Sequence, residues 1–301
     1  METPVAFIIF NRPDTTARVF EAIRQAKPPL LLVIADGARS SKLGEADKCV
    51  ATRAIIDRVD WDCEVKTNYS DVNLGCGKRV SSGIDWVFQE VEEAIILEDD
   101  CLPHPSFFQF CEEMLEYYRN DSRIMAISGN NFQRGKKCND DSYYFSRYNH
   151  VWGWASWRRA WKNYDFTMSQ WPQIRDGNWL NSVLDNKDLS RYWTVEFEKA
   201  HRGDIDTWDY QWTFACWVQN SLTILPQVNL ISNIGFNPDA THTKKDVPWA
   251  SQSIYPIDFP LTHPSFILRN TVADRFTNSI MYESNLFKKA MNKLKFIVSK
   301  W

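Results

Sequence analysis

Along the first hundred residues, short unbroken apolar runs alternate with stretches whose apolar residues recur every three or four positions. "VAFIIF" (5–10), "LLLVIAD" (30–36), "CEVKTNY" (63–69) and residues 94–97 read as strands. "DTTARVFEAIRQA" (14–26), capped by Asp14, a polar segment near 44–58 and "GKRVSSGIDWVFQEV" (77–91) read as helices. Runs that are apolar on both faces, with helices between them, predict a parallel sheet covered on both sides. Ligands of such sheets lie beyond the carboxyl ends of the strands. The residues at those ends are Asn11 and Arg12, Asp36 and Arg39, and the consecutive acids Glu98, Asp99 and Asp100.

Neither G-x-G-x-x-G nor a Walker sequence follows these strands, so the phosphate cradle of a dinucleotide or P-loop site is missing. "NLGCGKR" (73–79) comes nearest, but its spacing matches neither; Lys78 and Arg79 within it read first as a solvated helix face and second as positive charge added near a donor. Beyond residue 140 the pattern changes to tryptophan-dense stretches, "YNHVWGWASWRRAWKNY" and "TWDYQWTFACW". Aromatic faces suit sugar rings, yet large aromatics more often fill cores, and most of the fourteen tryptophans are expected there.

Composition narrows the function. With 35 basic and 38 acidic residues and a formal net charge of −3, the chain is no polyelectrolyte partner for nucleic acid. Seven scattered cysteines without a C-x-x-C pair point to reduced thiols rather than a disulfide framework or zinc site. The opening residues lead into "VAFIIF" without a basic region or cleavage site, and no apolar run reaches the ~20 residues of a membrane span. A cytoplasmic protein is expected. The end of the chain, "LFKKAMNKLKFIVSKW" (286–301), puts Leu286, Phe287, Ala290, Met291, Leu294, Ile297, Val298 and Trp301 on one helical face and five lysines on the other. That pattern suits the anionic inner face of the cytoplasmic membrane, or packing on the protein's own domain; both readings stay open.

Three adjacent carboxylates after a buried strand repel one another and resist desolvation. A hard divalent cation, Mn²⁺ or Mg²⁺, would resolve the conflict and would be shared with substrate phosphates, as transfer from a nucleotide diphosphate requires. A solvated acidic turn ahead of a helix starting near Pro105 is the plainer alternative.

The line "ILEDDCLPHPSFFQFCEEML" resembles the Glu-Asp-Asp segment of glycosyltransferases of the GT-A fold, N-acetylglucosaminyltransferase I and bacterial surface-glycan enzymes among them. "FIIFNRPDTTARVFEAI", "VIADGAR", "VWGWASWRRAW", "TWDYQW" and "ISNIGFNPDATHT" follow that family's order over roughly residues 5–245. The resemblance implies that Asp36 recognises the base, Arg12 the donor phosphate, and Glu98 and Asp99 the ribose and sugar, with Asp100 on the metal and His242 on metal or diphosphate. It also implies Asp209 as the general base, although Tyr210-Gln211 replaces the family's second Asp; Asp206 is the reserve. The expected fold is α/β: a GT-A catalytic domain with a Rossmann-like central sheet over 1–265 and a helical tail over 266–301. Within the domain, 1–100 would be the nucleotide-binding half and 101–265 the acceptor half, with an insertion around 165–205. The expected activity is metal-dependent, inverting hexosyl transfer from a nucleotide-diphosphate sugar to a glycan or lipid-linked glycan in polysaccharide biosynthesis. Alternatives are a sugar nucleotidyltransferase and a non-catalytic carbohydrate-binding protein.

Overall fold

The apolar runs do become strands buried on both faces. In the computed structural model, which describes residues 1–184, 186–235 and 252–283, β1 (Val5–Ile9) is almost wholly inaccessible to solvent, as is most of β2 (Leu30–Ala35). Between them runs α1 (Pro13–Ala26). It starts one residue earlier than the sequence pattern predicts, with Pro13 in the first turn, and Asp14 makes no cap: Arg12 is the flanking residue and its carbonyl accepts from Thr16 N at 3.0 Å. Next come α2 (Glu45–Arg53), a 3₁₀ turn (Ala54–Arg58), β3 (Glu64–Tyr69), α3 (Cys76–Glu90) and β4 (Glu93–Glu98). The first hundred residues thus follow the expected alternation to within a residue or two at each boundary; β1, β2 and β4 are buried and write apolar runs, whereas β3, at the sheet edge, is partly exposed and polar.

The second half is less regular. The chain passes through β5 (Cys101–Pro103), α4 (Ser106–Tyr117), β6 (Ile124–Ser128), β7 (Tyr143–Ser146) and β8 (Trp154–Trp157). Short helices α5 (Arg158–Trp161), α6 (Trp171–Asp176) and α7 (Leu180–Val183) precede the longer α8 (Lys187–Arg202) and α9 (Asp209–Val218). After β9 (Leu222–Pro226) and β10 (Ile231–Asn233), the last described elements are α10 (Thr271–Asn278) and a π-helical turn (Ser279–Glu283). His242 and the amphipathic stretch 286–301 lie outside the described residues.

Among the described residues, eight strands form one mixed sheet in the order β3-β2-β1-β4-β8-β6-β9-β7. β8 and β7 run antiparallel to their neighbours; the other pairings, β3-β2, β2-β1, β1-β4 and β6-β9, are parallel. The α/β class with a Rossmann-like, mostly parallel central sheet is therefore observed. Because β2 lies on one side of β1 and β4 on the other, the crossover direction reverses between β1 and β4. A crevice opens at such a point.

Aromatic packing explains the tryptophan density. Trp154, Trp161, Trp208 and Trp212 stack within 5.1–6.4 Å of one another, and Trp171, Trp193, Phe197, Phe214 and Trp217 form a second layer. All of these are nearly inaccessible, as the core expectation holds; among the described tryptophans Trp61, Trp86 and Trp152 are half-buried and Trp179 is exposed. α10 is pinned to the domain through Asp274, whose buried carboxylate accepts from Ser146 Oγ at 2.5 Å and Arg147 Nε at 3.2 Å. Arg79 departs from expectation: it turns inward, donating to the Ala35 carbonyl at 3.1 Å and to the Asn68 carbonyl at 2.5 Å. Its guanidinium holds the carboxyl ends of β2 and β3 together.

One close approach is testable. A Cβ on Gly83 of α3 would come within 2.6 Å of Ile34 Cγ2 in β2. Gly83→Val should destabilise the protein by about 1–3 kcal/mol through overpacking, despite the better helix propensity of valine. Urea unfolding should show a lower midpoint at unchanged m; an unchanged or higher midpoint would contradict the tight α3–β2 contact.

Candidate functional site

The crevice is built on the acid cluster. Asp99 and Asp100 directly follow β4, next to the end of β1, and Arg12 reaches them from the start of α1. Its guanidinium donates through Nη1 to Asp100 Oδ2 at 2.8 Å and through Nη2 to Asp99 Oδ1. Asp99 Oδ2 also accepts from the Phe10 amide at 3.1 Å. A guanidinium at a helix N-terminus is disfavoured by the helix dipole, so the two acids also resolve that conflict. Burial works against the charge on Arg12, but Asp99 and Asp100 hold it firmly protonated. Burial likewise pushes Glu98 above the usual carboxylate range, reinforced by Asp100 and Asp99; burial raises Asp99 too, with Arg12 opposing.

The backbone follows this cluster closely. β5 pairs antiparallel with β10, the Ile234 amide donates to the Asp100 carbonyl at 2.8 Å, and Gly235 lies against the ion pair. A Cβ on Gly235 would collide with Asp100 Oδ2 and sit 2.7 Å from Arg12 Nη1. Only glycine lets this strand pass.

Asp36, at the end of β2, is committed to its own loop. Its carboxylate accepts from the amides of Gly37 at 2.9 Å, Leu74 at 2.9 Å and Gly75 at 3.1 Å, and from Asn73 Nδ2 at 3.0 Å. Burial raises its pKa against those amide bonds. Asp206 occupies the N-terminus of α3, accepting from the Cys76 amide at 2.9 Å and the Gly77 amide at 2.7 Å. Arg12, Asp36, Arg39, Arg79, Glu98, Asp99, Asp100 and Asp206 line one cavity of about 310 Å³. Five carboxylates face three arginines there, and Arg39 is itself tied to Glu45.

Asp209 lies elsewhere, in the first turn of α9, where Thr207 Oγ1 donates to its carboxylate. It lines a second cavity of about 250 Å³ walled by Phe132, Tyr148, Trp152, Tyr192, Trp193 and Tyr282, with Asn130, Asn149 and His150. Trp152 belongs to both cavities, and the Asp209 charge helps raise Glu98, so the two are neighbours. The structure therefore brings Arg12, Asp36, Glu98, Asp99 and Asp100 together and sets Asp209 apart beside them. Sequence reasoning missed Asn73, Trp152, Asn149 and His150. "NLGCG" and "YNHVWGW" had carried them, but only as a loop and as aromatic density.

Among the described residues, no group of three or more His, Cys, Asp or Glu side chains is arranged as a metal cage. Asp99 has both oxygens engaged. Asp100 Oδ1 receives only a thiol contact from Cys101, at 3.4 Å. Hard carboxylate oxygens at a partly open cleft fit a divalent cation that completes its shell with ligand phosphate and water, rather than one held by protein alone.

A pH test follows from the buried acids. A carboxylate raised in the folded state adds stability below its unfolded pKa, near 4.3 for glutamate, and loses that contribution as pH climbs through the folded value. Glu98→Gln should match the parent near pH 4 and be more stable than it near pH 9, by on the order of 1 kcal/mol. Thermal melts across that range check it, and superimposable pH profiles would refute a strained Glu98.

No protein-family model matches the chain, and no curated protein matches it in sequence. Among solved structures it is similar to UDP-glucose pyrophosphorylase complexed with UDP-glucose, at 10% identity and a TM-score of 0.35 over 75% of this chain and 90% of that one. It is also similar to HddC from Yersinia pseudotuberculosis, at 11% and 0.31 over 52% and 77%. A third likeness is to an active-site mutant of LgtC, at 8% and 0.40 over 93% and 96%.

Proposed function

We propose that the protein is a GT-A-type glycosyltransferase, metal-dependent and inverting, that moves a sugar from a nucleotide-diphosphate donor to a glycan or lipid-linked acceptor. The observation that carries this reading is the pairing of two cavities across Trp152. One holds acids and arginines at the sheet's switch point; the other holds a single carboxylate, Asp209, facing aromatic walls. Inverting transfer needs that division, since a base must act on the acceptor hydroxyl from the side opposite the departing diphosphate.

In this reading the nucleotide lies over the loop 73–75 that Asp36 positions. Arg12 aims positive charge at the diphosphate while its acid partners keep the guanidinium fixed. Asp100 would hold Mn²⁺ or Mg²⁺, which when bound offsets the charge of the leaving diphosphate in a cavity whose own carboxylates outnumber its arginines. Glu98 and Asp99 face the ribose and the sugar hydroxyls. Asp209 takes the proton from the acceptor oxygen as the new bond forms, with the Thr207 hydroxyl orienting its carboxylate. Asp206 is the weaker choice for base, because both of its oxygens accept from α3 amides.

Two outcomes test the reading. Asp100→Ala should abolish transfer and the Mn²⁺-dependent part of nucleotide affinity in a protein that still folds, with the melting temperature lowered by the lost ion pair while Asp99 keeps its own with Arg12. Titration calorimetry that finds the same Mn²⁺-dependent affinity in the variant would remove Asp100 from the metal. Asp209→Asn should keep nucleotide affinity and lose rate by about 10²–10⁴-fold, the share of a general base. Asp206→Asn should instead weaken nucleotide binding by loosening the start of α3; the opposite pattern in kcat and Kd would exchange the two roles.

A further inference from the structure

The loop between β6 and β7 carries three cations that neither cavity uses. Arg134, Lys136 and Lys137 are all exposed. The loop runs along the flank of α10 and is held there at three points: Gln133 Nε2 donates to Thr277 Oγ1 at 3.0 Å, the Lys136 ammonium sits 3.9 Å from the centre of the Phe276 ring, and Asn270 Nδ2 donates to the Cys138 carbonyl at 3.1 Å. The outward side of α10 therefore adjoins the loop. Val272 and Arg275 of the helix and Ser279 just beyond it, spaced by three and four residues, are exposed on that side. Val272 is 73% exposed, and Phe266 and Leu268, in the segment leading into α10, are 64% and 68% exposed.

Much of the positive charge of this surface is uncommitted. Lys137 pairs with Asp140 at 2.8 Å, whereas Arg134, Lys136 and Arg275 make no ion pair among the described residues. Asp274, the acid of α10, faces inward and is held by Ser146 and Arg147. Loose cations and exposed aliphatic side chains thus share one strip of surface. A bilayer of anionic phospholipid satisfies both, because headgroup phosphates accept from the cations while apolar side chains enter the boundary between headgroups and acyl chains. A nucleic-acid backbone would take the cations but gives Val272 no apolar layer to enter. Each Lys or Arg brought to an anionic lipid surface strengthens association about fivefold.

We infer that the β6–β7 loop and the outer side of α10 form a docking surface for an anionic phospholipid bilayer, separate from the amphipathic stretch 286–301. Both segments lead directly to the second cavity: Asn130 and Phe132 precede the loop, Met281 and Tyr282 follow α10, and all four line that cavity. A bilayer seated on the loop and helix would stand beside it. The arrival of a lipid-linked acceptor by this route rests on the transferase reading, whereas the docking itself does not.

Vesicles alone test the docking, without donor, acceptor or metal. The full chain is sedimented with vesicles of phosphatidylcholine, and with vesicles in which about one lipid in three is phosphatidylglycerol, at about 0.1 M salt. Binding should require the anionic lipid and weaken several-fold at about 0.5 M salt. Arg134→Glu/Arg275→Glu should weaken it at least about tenfold, and Val272→Ser about threefold. Arg191→Glu, an exposed cation of α8, should bind like the parent. If Arg134→Glu/Arg275→Glu fails to fold, judged by near-UV circular dichroism, Lys136→Gln/Lys137→Gln decides, with a loss of about tenfold expected. The inference is overturned if the parent ignores anionic lipid or binds phosphatidylcholine equally well, or if Arg191→Glu costs as much as the loop–helix variant. It is also overturned if the folded loop–helix variants bind like the parent and the loss falls instead to Lys289→Glu/Lys293→Glu, or if a single-stranded oligonucleotide is bound and vesicles are not. Vesicle binding by a chain that transfers no sugar from any nucleotide donor would leave the docking surface standing and remove the transferase reading; transfer without vesicle binding would do the reverse.

Discussion

The ion pairing of Arg12 with Asp99 and Asp100 is the constraint around which the crevice is arranged. Three carboxylates in succession at the end of a buried strand are electrostatically unstable on their own. Arg12 offsets two of them, and it can do so because Pro13 starts α1 immediately after it, at the end of the neighbouring strand. The same guanidinium would be poorly placed at a helix N-terminus without the acids. Each half of the arrangement therefore depends on the other, and Glu98 is left as the acid whose charge the fold resists.

Backbone elements far apart in sequence have adapted to that pair. The β5–β10 ribbon carries residues 231–235 across it, and Gly235 is the point of closest passage. Asp36 and Asp206 apply the same device on the other side of the crevice: each carboxylate gathers backbone amides of the 73–77 turn, one from below and one from the α9 side. The cavity wall is thus held by carboxylates that themselves face inward to the protein, while Arg12, Glu98 and Asp100 remain at its surface. The 73–77 turn is thus shaped by two carboxylates rather than by the glycine spacing of a dinucleotide or P-loop sequence.

Across Trp152 the balance reverses, from a charged cavity to one that is aromatic and nearly neutral. The tryptophan-rich segments support both sides. Trp154, Trp161, Trp208 and Trp212 pack together as core, while their chain neighbours Trp152 and Asp209 line the cavities, so a residue pattern that reads as core filling also carries cavity residues.

What the sequence determined by itself was local and periodic. Apolar runs such as "VAFIIF" and "LLLVIA" specify doubly buried parallel strands, and their carboxyl ends place Arg12, Asp36 and Glu98–Asp100 at one edge with no further information. Tertiary structure decided everything that depends on partners distant in the chain. Arg79 reads as a solvated helix residue but holds carbonyls of two strands; Asp206 and Asp209, three residues apart, face different cavities because one precedes α9 and the other lies in its first turn. The surface that joins Arg134 and Lys136 to Arg275 is likewise invisible in sequence. Side-chain type and spacing say what a group can bond to, whereas only the packed chain determines which of its bonds are already made.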